Sequence, residues 1–176
     1  VAINNSKVYS SALRDAILDE LTGLHNRKYF NERLLDEVDR ARRYGGEVSL
    51  LLGDIDHFKQ VNDIYGHPTG DRVLQWIGRL FRDKLRKTDI VARYGGEEFA
   101  IILLNTGRKE ACRIANGLRE MVAGSALPDN PAIWVTVSIG VSALGSDANT
   151  FEGLINATDK ALYQAKSRGR NRVCTL

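Results

Sequence analysis

Cysteine is scarce in this 176-residue chain: the two present, Cys112 and Cys174, lie far apart and in no metal-type spacing. A lone pair supplies no disulfide framework, so the expected setting is a reducing cytoplasm. Long apolar runs are missing too. None approaches the roughly 18 residues that a membrane-spanning helix needs, and no signal peptide stands at the start. Neither sign of charge dominates. The formal net charge is +3 with Lys and Arg scattered, too weak a bias to argue for a nucleic-acid polymer as partner. Internal repeats and low-complexity tracts are absent. So is the GxxxxGK[ST] loop, which excludes a P-loop enzyme, and nothing suggests a Ser/His/Asp or Cys/His nucleophile. What is there is ordinary: 43% hydrophobic and 27% charged residues, in a length that suits one domain with a sizeable core. The chain starts at Val1 rather than Met and is expected to be a piece of something longer.

The spacing of apolar residues separates helices from strands. Residues 9–20 are weakly amphipathic (Leu13, Ile17, Leu18) and are expected to be the tail of a helix arriving from a preceding domain. Gly23 breaks that pattern, and Asn26 is a good N-cap for a helix that places Phe30, Leu34, Val38 and Ala41 on one face and ends near Gly45-Gly46. "VSLLLGDID" (48–56) is a buried-strand candidate whose terminal acids would sit at the rim of a sheet. Phe58, Val61 and Tyr65 have helical spacing up to Gly66, and Pro68 suits the first turn of a further helix (Val73, Leu74, Ile77, Leu80, Phe81, Leu85). "DIVARY" and "FAIILL" read as two strands of a hairpin turning at Gly95-Gly96. Then come a helix at 108–123, a loop at 124–131, a strand at 132–142, a helix at 150–167 and a last short strand, "RVCTL". There is no strict βαβ repeat and a hairpin sits mid-chain. That predicts an α+β fold, with the strand order left open.

The acids of this pattern fall at element ends. Asp54 and Asp56 close the strand, and Glu97 and Glu98 follow the two glycines of the hairpin. Taken singly, each is an ordinary surface turn residue. Taken together, clustered carboxylates repel unless a cation sits among them, and hard oxygen ligands suit Mg²⁺ and phosphate chemistry. Glycine also lets a backbone approach a ligand closely. Downstream, "NDIYGHPTGD" offers Asn62, His67 and Asp71. Asp71 is either a favourable acid near a helix start or an acceptor for the N1–H and N2–H₂ of guanine. His67 serves equally as a core or capping histidine. Lys166 and Arg170 either complement a helix dipole or hold phosphate oxygens, and Lys59 has the same two readings.

The motifs "DELTGLHNR", "DIDHFKQVND", "GHPTGD", "RYGGEEF", "VTVSIGV" and "ALYQAKSRGRN", in that order, resemble the GGDEF domain of bacterial diguanylate cyclases over nearly the whole chain. The resemblance implies a central, mostly antiparallel sheet flanked by helices, similar to the nucleotide cyclases and the polymerase palm. It implies a GGDEF catalytic domain at 16–176 behind an N-terminal helical linker at 1–15. It implies a nucleotidyltransferase that condenses two GTP into cyclic di-GMP and two pyrophosphates across a homodimer, with two Mg²⁺ (or Mn²⁺) per site. A sensor or regulatory domain would lie upstream, and the location would be cytoplasmic. Carried over by position, Asp54 and the Ile55 carbonyl match metal ligands. Glu97 matches a residue with metal-binding and proton-accepting roles, and Glu98 a second acid at the metals. Asn62 and Asp71 match guanine contacts, with His67 nearby. Gly95 and Gly96 make room for phosphates, Lys59 steadies charge in the transition state, and Lys166 and Arg170 match phosphate contacts. "RKTD" (Arg86 to Asp89) has the offset of the family's RxxD product-inhibition site. Such sites recruit a further arginine, with Arg40, Arg42, Arg43, Arg113 and Arg119 as candidates. Glu97 in place of the Asp of the family name is a common, active variant. Gly53 is smaller than expected and predicts a looser strand end. The alternative function is a catalytically idle receptor for GTP or cyclic di-GMP, which the intact acid set opposes. A cyclase making a mixed dinucleotide or mononucleotide is a third reading, against which Asp71 speaks.

Overall fold

The apolar run 48–55 forms a strand buried at every position, as an unbroken apolar segment is when both its faces are covered. In the computed structural model, which describes residues 17–176, this strand is β1 (Val48–Ile55). It is the middle of a five-stranded sheet ordered β2 (Ile90–Gly95), β3 (Glu98–Leu104), β1, β4 (Val137–Ala143), β5 (Val173–Thr175). Neighbours are antiparallel except β4 and β5, which run parallel. The chain therefore forms the expected α+β architecture, a mostly antiparallel sheet between helices.

Alternation along β1 divides the core in two. Leu50 and Leu52, with Ala100 and Ile102 of β3, meet Phe30, Leu34 and Val38 of α1 (Arg27–Tyr44) and Leu154 and Leu162 of α5 (Phe151–Ser167). Leu51 and Ile55, with Phe99, Ile101 and Leu103, face the other way. They meet α2 (Phe58–Tyr65) through Phe58 and Val61, α3 (His67–Lys84) through Val73, Ile77 and Phe81, and α4 (Arg108–Ala123) through Ala111, Ala115 and Leu118. Each fully buried Leu, Ile or Phe contributes about 1.5–3 kcal/mol relative to exposure, so these two layers fix the sheet between its helices. Caps agree with the sequence. The Asn26 side chain accepts from the Tyr29 amide at 3.0 Å, and Thr150 Oγ1 accepts from Gly153 at 3.1 Å. Pro68 lies in the first turn of α3.

Three expectations need correcting. The strand read over 132–142 begins only at Val137. Ahead of it, Ile133 exchanges backbone bonds with Leu127 and Asn130 at 3.0 Å, and Trp134 is 60% exposed with its indole N–H on the Pro131 carbonyl. The apolar alternation of "AIWV" thus belongs to a self-contained loop. The helix read over 9–20 lies mostly outside the described residues, and it does not reach 20. Leu18 is already bridged to His25, and Asp19 accepts from the Thr22 amide and hydroxyl at 2.9 and 2.7 Å. Gly53 does not loosen β1: it keeps regular register with Phe99 and Ile139.

Gly140 on β4 is where α5 comes closest to the sheet. A Cβ there would collide with the Thr158 carbonyl oxygen and the Leu162 backbone. Alongside, the Ser142 and Thr158 hydroxyls lie 2.6 Å apart, and both donate to the Leu154 carbonyl. Gly140→Ala is therefore expected to lower stability by about 1–3 kcal/mol, as overpacking does. The reading is an earlier midpoint in urea denaturation with unchanged slope. A wild-type midpoint would show that the helix moves away without penalty.

Candidate active site

The C-terminal end of β1 meets the start of β3 at one end of the sheet's central strands. Asp54 pairs in register with Glu98 on one side and Ser138 on the other. The Ile55 amide donates to the Glu97 carbonyl at 3.3 Å. Register and alternation put Asp54 and Glu98 on the α1/α5 side of the sheet, since they continue the series Leu50, Leu52 and Ala100, Ile102. Asp54 is only 7% exposed. Burial raises its carboxyl above the usual range, Lys166 pulls the other way, and Asp56 adds to the rise. Burial, then the Asp54 charge, raises Glu98 as well. Lys166, from the last turn of α5, lies with its Nζ 2.7 Å from Asp54 Oδ2.

Glu97 goes elsewhere. It lines a cleft of about 560 Å³ together with Lys59 and Asn62 of α2, His67 and Asp71 of α3, and Arg93 and Gly96 of the hairpin. Asn62 reaches in because residue 70 is glycine: a Cβ at Gly70 would overlap the Asn62 carboxamide oxygen and press on Phe58. Asp71 is exposed and sits beyond the first turn of α3, so first-turn dipole placement does not account for it. The hairpin turn is held from behind. Arg93 donates to the Gly96 carbonyl from Nε at 3.0 Å and Nη2 at 2.9 Å, and its Nη1 lies 3.2 Å from Asp19 Oδ2. Gly96 adopts φ 46°, which glycine takes without strain. Tyr94 anchors the hairpin to α1, with the Arg27 guanidinium 4.5 Å from its ring centroid.

The structure thus brings Lys59, Asn62, His67, Asp71, Gly96 and Glu97 to one cleft, and Asp54, Glu98 and Lys166 to one rim. Arg170 stands exposed just past α5, close enough for its charge to favour ionised Asp54. Arg86 and Asp89 lie apart from both groups. The Arg86 amide donates to Asp89 Oδ2 at 3.1 Å, and the two residues share a separate cavity of about 300 Å³ with Leu24, His25 and Arg82. Asp89 Oδ1 is buried there without a hydrogen-bond partner. Sequence reasoning passed over Arg93 and gave Asp56 no role. A cation two residues ahead of two glycines was the available signal for Arg93.

Among the described residues no three His, Cys, Asp or Glu side chains gather closely enough to hold a metal ion alone. The donor set nonetheless fits a hard divalent cation of the Mg²⁺ kind, which is held by one or two carboxylates with substrate phosphates completing the shell. Asp54 and Glu98 are two such carboxylates, adjacent and raised by burial despite the nearby Lys166.

Comparison with known proteins agrees with this geometry. The family model described as "Diguanylate cyclase, GGDEF domain" matches residues 16–172. Response regulator PleD of Caulobacter vibrioides is 44% identical over 165 residues, covering 92% of this chain and 36% of its own. Diguanylate cyclase A of Treponema denticola is 38% identical, covering 98% of this chain and 47% of its own. The coiled coil and GGDEF domain of DgcB from Caulobacter crescentus, solved in complex with c-di-GMP, superposes with a TM-score of 0.92 at 30% identity, over 99% of this chain and 93% of that one. The active GGEEF domain of a Vibrio cholerae diguanylate cyclase superposes at 0.80 with 34% identity, over 85% of this chain and 95% of that one. The chain belongs to the GGDEF domain family. It spans about a third to a half of the length of these curated relatives, 36% and 47%. Membership implies use of a divalent metal ion.

The raised carboxyl of Glu98 has a pH consequence. Its folded form binds a proton more tightly than its unfolded form, so its stabilising contribution is present in acid and is lost as pH rises through its folded value. Glu98→Gln should therefore raise the melting temperature near neutrality, by on the order of 1 °C, and the gain should vanish in acid. A gain independent of pH, or a loss near neutrality, would contradict the assigned desolvation.

Proposed function

We propose that this domain is a diguanylate cyclase that condenses two GTP into cyclic di-GMP and two pyrophosphates. The observation that carries the reading is the cleft of about 560 Å³ where Asn62, His67 and Asp71 meet Glu97 and Gly96. That volume lies in the usual range for small-ligand sites, about 300–1,000 Å³. In this reading Asp71 accepts from the N1–H and N2–H₂ of guanine, and Asn62 serves another base edge. A base lacking that donor pair would leave the carboxylate unmatched, which is a strong basis for rejection. His67 borders the base. Gly95 and Gly96 let the phosphates run along the hairpin backbone, and Lys166 and Arg170 meet them from α5. Asp54, the Ile55 carbonyl, Glu97 and Glu98 hold two Mg²⁺ ions, or Mn²⁺. When bound, such ions neutralise phosphate charge and stabilise the attacking and leaving oxygens of phosphoryl transfer.

Each domain then holds one GTP, and two domains face one another as a homodimer. Glu97 accepts the proton of a 3′-hydroxyl as that oxygen bonds to the α-phosphorus of the opposite GTP. The bond between the α-phosphorus and the bridging oxygen breaks, and pyrophosphate leaves. Lys59, beside Glu97 in the cleft, steadies the charge that develops. The same step repeated closes the ring. Arg86 and Asp89 form a product-inhibition site, which the unpartnered Asp89 Oδ1 and its separate cavity support. Of the candidate arginines, Arg113 is favoured, because it binds Glu110, whose carboxyl is lowered by Arg113 first and also by Arg86. An upstream sensor or regulatory domain in the full-length protein and a cytoplasmic location complete the reading. No helix among the described residues is long and apolar enough to cross a membrane.

Incubation of concentrated protein with GTP and Mg²⁺, followed by mass spectrometry, is expected to yield cyclic di-GMP and pyrophosphate. Unchanged GTP from a forcibly dimerised form would instead identify a receptor. Glu97→Ala should cut turnover by about 10²-fold or more, the scale of a lost general base. Retained activity would remove that role. Arg86→Ala should relieve product inhibition in a progress-curve assay while initial turnover persists, and unchanged inhibition would remove the RxxD site.

A further inference from the structure

We infer that Asp56 is a positioning residue that holds the turn after α5 and thereby places Arg170 at the phosphate end of the site. The inference rests on the reading of Arg170 as a phosphate contact.

Asp56 is 4% exposed, and a buried carboxylate is tolerated only when its oxygens are hydrogen-bonded. Three donors reach it, all from distant parts of the chain. Ser138 Oγ donates to Oδ1 at 2.7 Å, Thr136 Oγ1 donates to Oδ2 at 2.6 Å, and the Asn171 backbone amide donates to Oδ2 at 3.0 Å. Two of these donors stand at the start of β4, Thr136 just before it and Ser138 within it, and they fix the carboxylate in place. The third is the first residue after Arg170.

That turn needs an outside tether. Arg170 and Asn171 are consecutive non-glycine residues in the left-handed region, at φ 60° and 44°. That region is disfavoured for a residue with a Cβ, more for Arg than for Asn, and strained backbone persists only where its surroundings over-determine it. Within α5 the Arg170 amide donates to the Ala165 carbonyl at 3.1 Å, which closes the helix but does not set the residue that follows. The charge-assisted bond from Asn171 to Asp56 is the one that ties this turn to the end of β1; Arg119 Nη1 on Asn171 Oδ1 at 3.1 Å and the Ile139 amide on the Arg172 carbonyl at 2.9 Å hold its other sides. The bond to Asp56 holds the residue next to Arg170, whose charge is felt at Asp54. Asp56 thus stands two positions from Asp54 with a different task.

The sign of the effect separates positioning from charge. Deleting an anion beside a phosphate site should by charge alone tighten binding, whereas losing the tether should weaken it. The test is calorimetric binding of α,β-methylene-GTP, which cannot undergo the transfer, to wild type, Arg170→Ala, Asp56→Ala and the double variant. The expected result is that each single variant binds about tenfold or more weakly, the scale of one bond to a charged group. The double variant should be no weaker than Arg170→Ala, because the two act as one unit. Asp56→Asn, whose carboxamide oxygen still accepts from Asn171, should bind like wild type. Unchanged affinity in Arg170→Ala would remove its phosphate role and the inference with it. A weakened Arg170→Ala beside an unaffected or tighter Asp56→Ala, or two effects that multiply, would overturn the positioning role while leaving the phosphate role intact. Should Asp56→Ala not fold, Asp56→Ser, which shortens the side chain and keeps one polar group, replaces it, and the same outcomes apply.

Discussion

Two carboxylates forced next to each other at the end of a buried strand are the constraint on which the rest of this domain depends. β1 is enclosed along its whole length, so whatever stands at its end is partly stripped of water. Antiparallel pairing then puts Glu98 directly opposite Asp54. Neither acid is comfortable there, and burial raises both. The surroundings answer with cations: Lys166 from α5 directly, and Arg170 from the turn beyond it. A fold that only needed stability would not put two acids at that spot. Stability given up in this way is characteristic of a functional site.

The hairpin resolves the question of two adjacent glutamates. Glu98 opens β3 and obeys its alternation, whereas Glu97 is the last residue of the turn and is free of it. Glu98 goes to the rim with Asp54, while Glu97 turns to the cleft with Asn62 and Asp71. The adjacency that looks repulsive in one dimension becomes a division of labour in three. Arg93 keeps it so by gripping the Gly96 carbonyl from behind and leaning on Asp19.

Much of the fold was legible because its signals are local. Asn26, Pro68, Thr150 and the paired glycines each mark a boundary through their own backbone preference, and β1 announces itself as an unbroken apolar run. The failures have one cause, partners that spacing does not reveal. "AIWV" alternates like a strand, but its backbone is taken by Leu127 and Asn130. Asp56 meets its donors across 80, 82 and 115 residues, and nothing in "DIDHFK" indicates them. Lys166 was legible as a cation at a helix end, but its bond to Asp54 depends on where α5 crosses the sheet, which Gly140 decides.

The order in which strands occur along the chain has a consequence for how the domain comes into being. β1 is synthesised first among the strands, yet its partners lie far downstream: Val48 faces Leu104, and Ile55 faces Val137. Contacts this distant in sequence close slowly, because loop entropy is spent before pairing rewards it. During translation "VSLLLG" must therefore wait with both edges unpaired until β3 and then β4 emerge. The strand that ends in Asp54 is thus exposed along both edges in the nascent chain, and α1, complete before it, is the first of the described elements able to cover one of its faces.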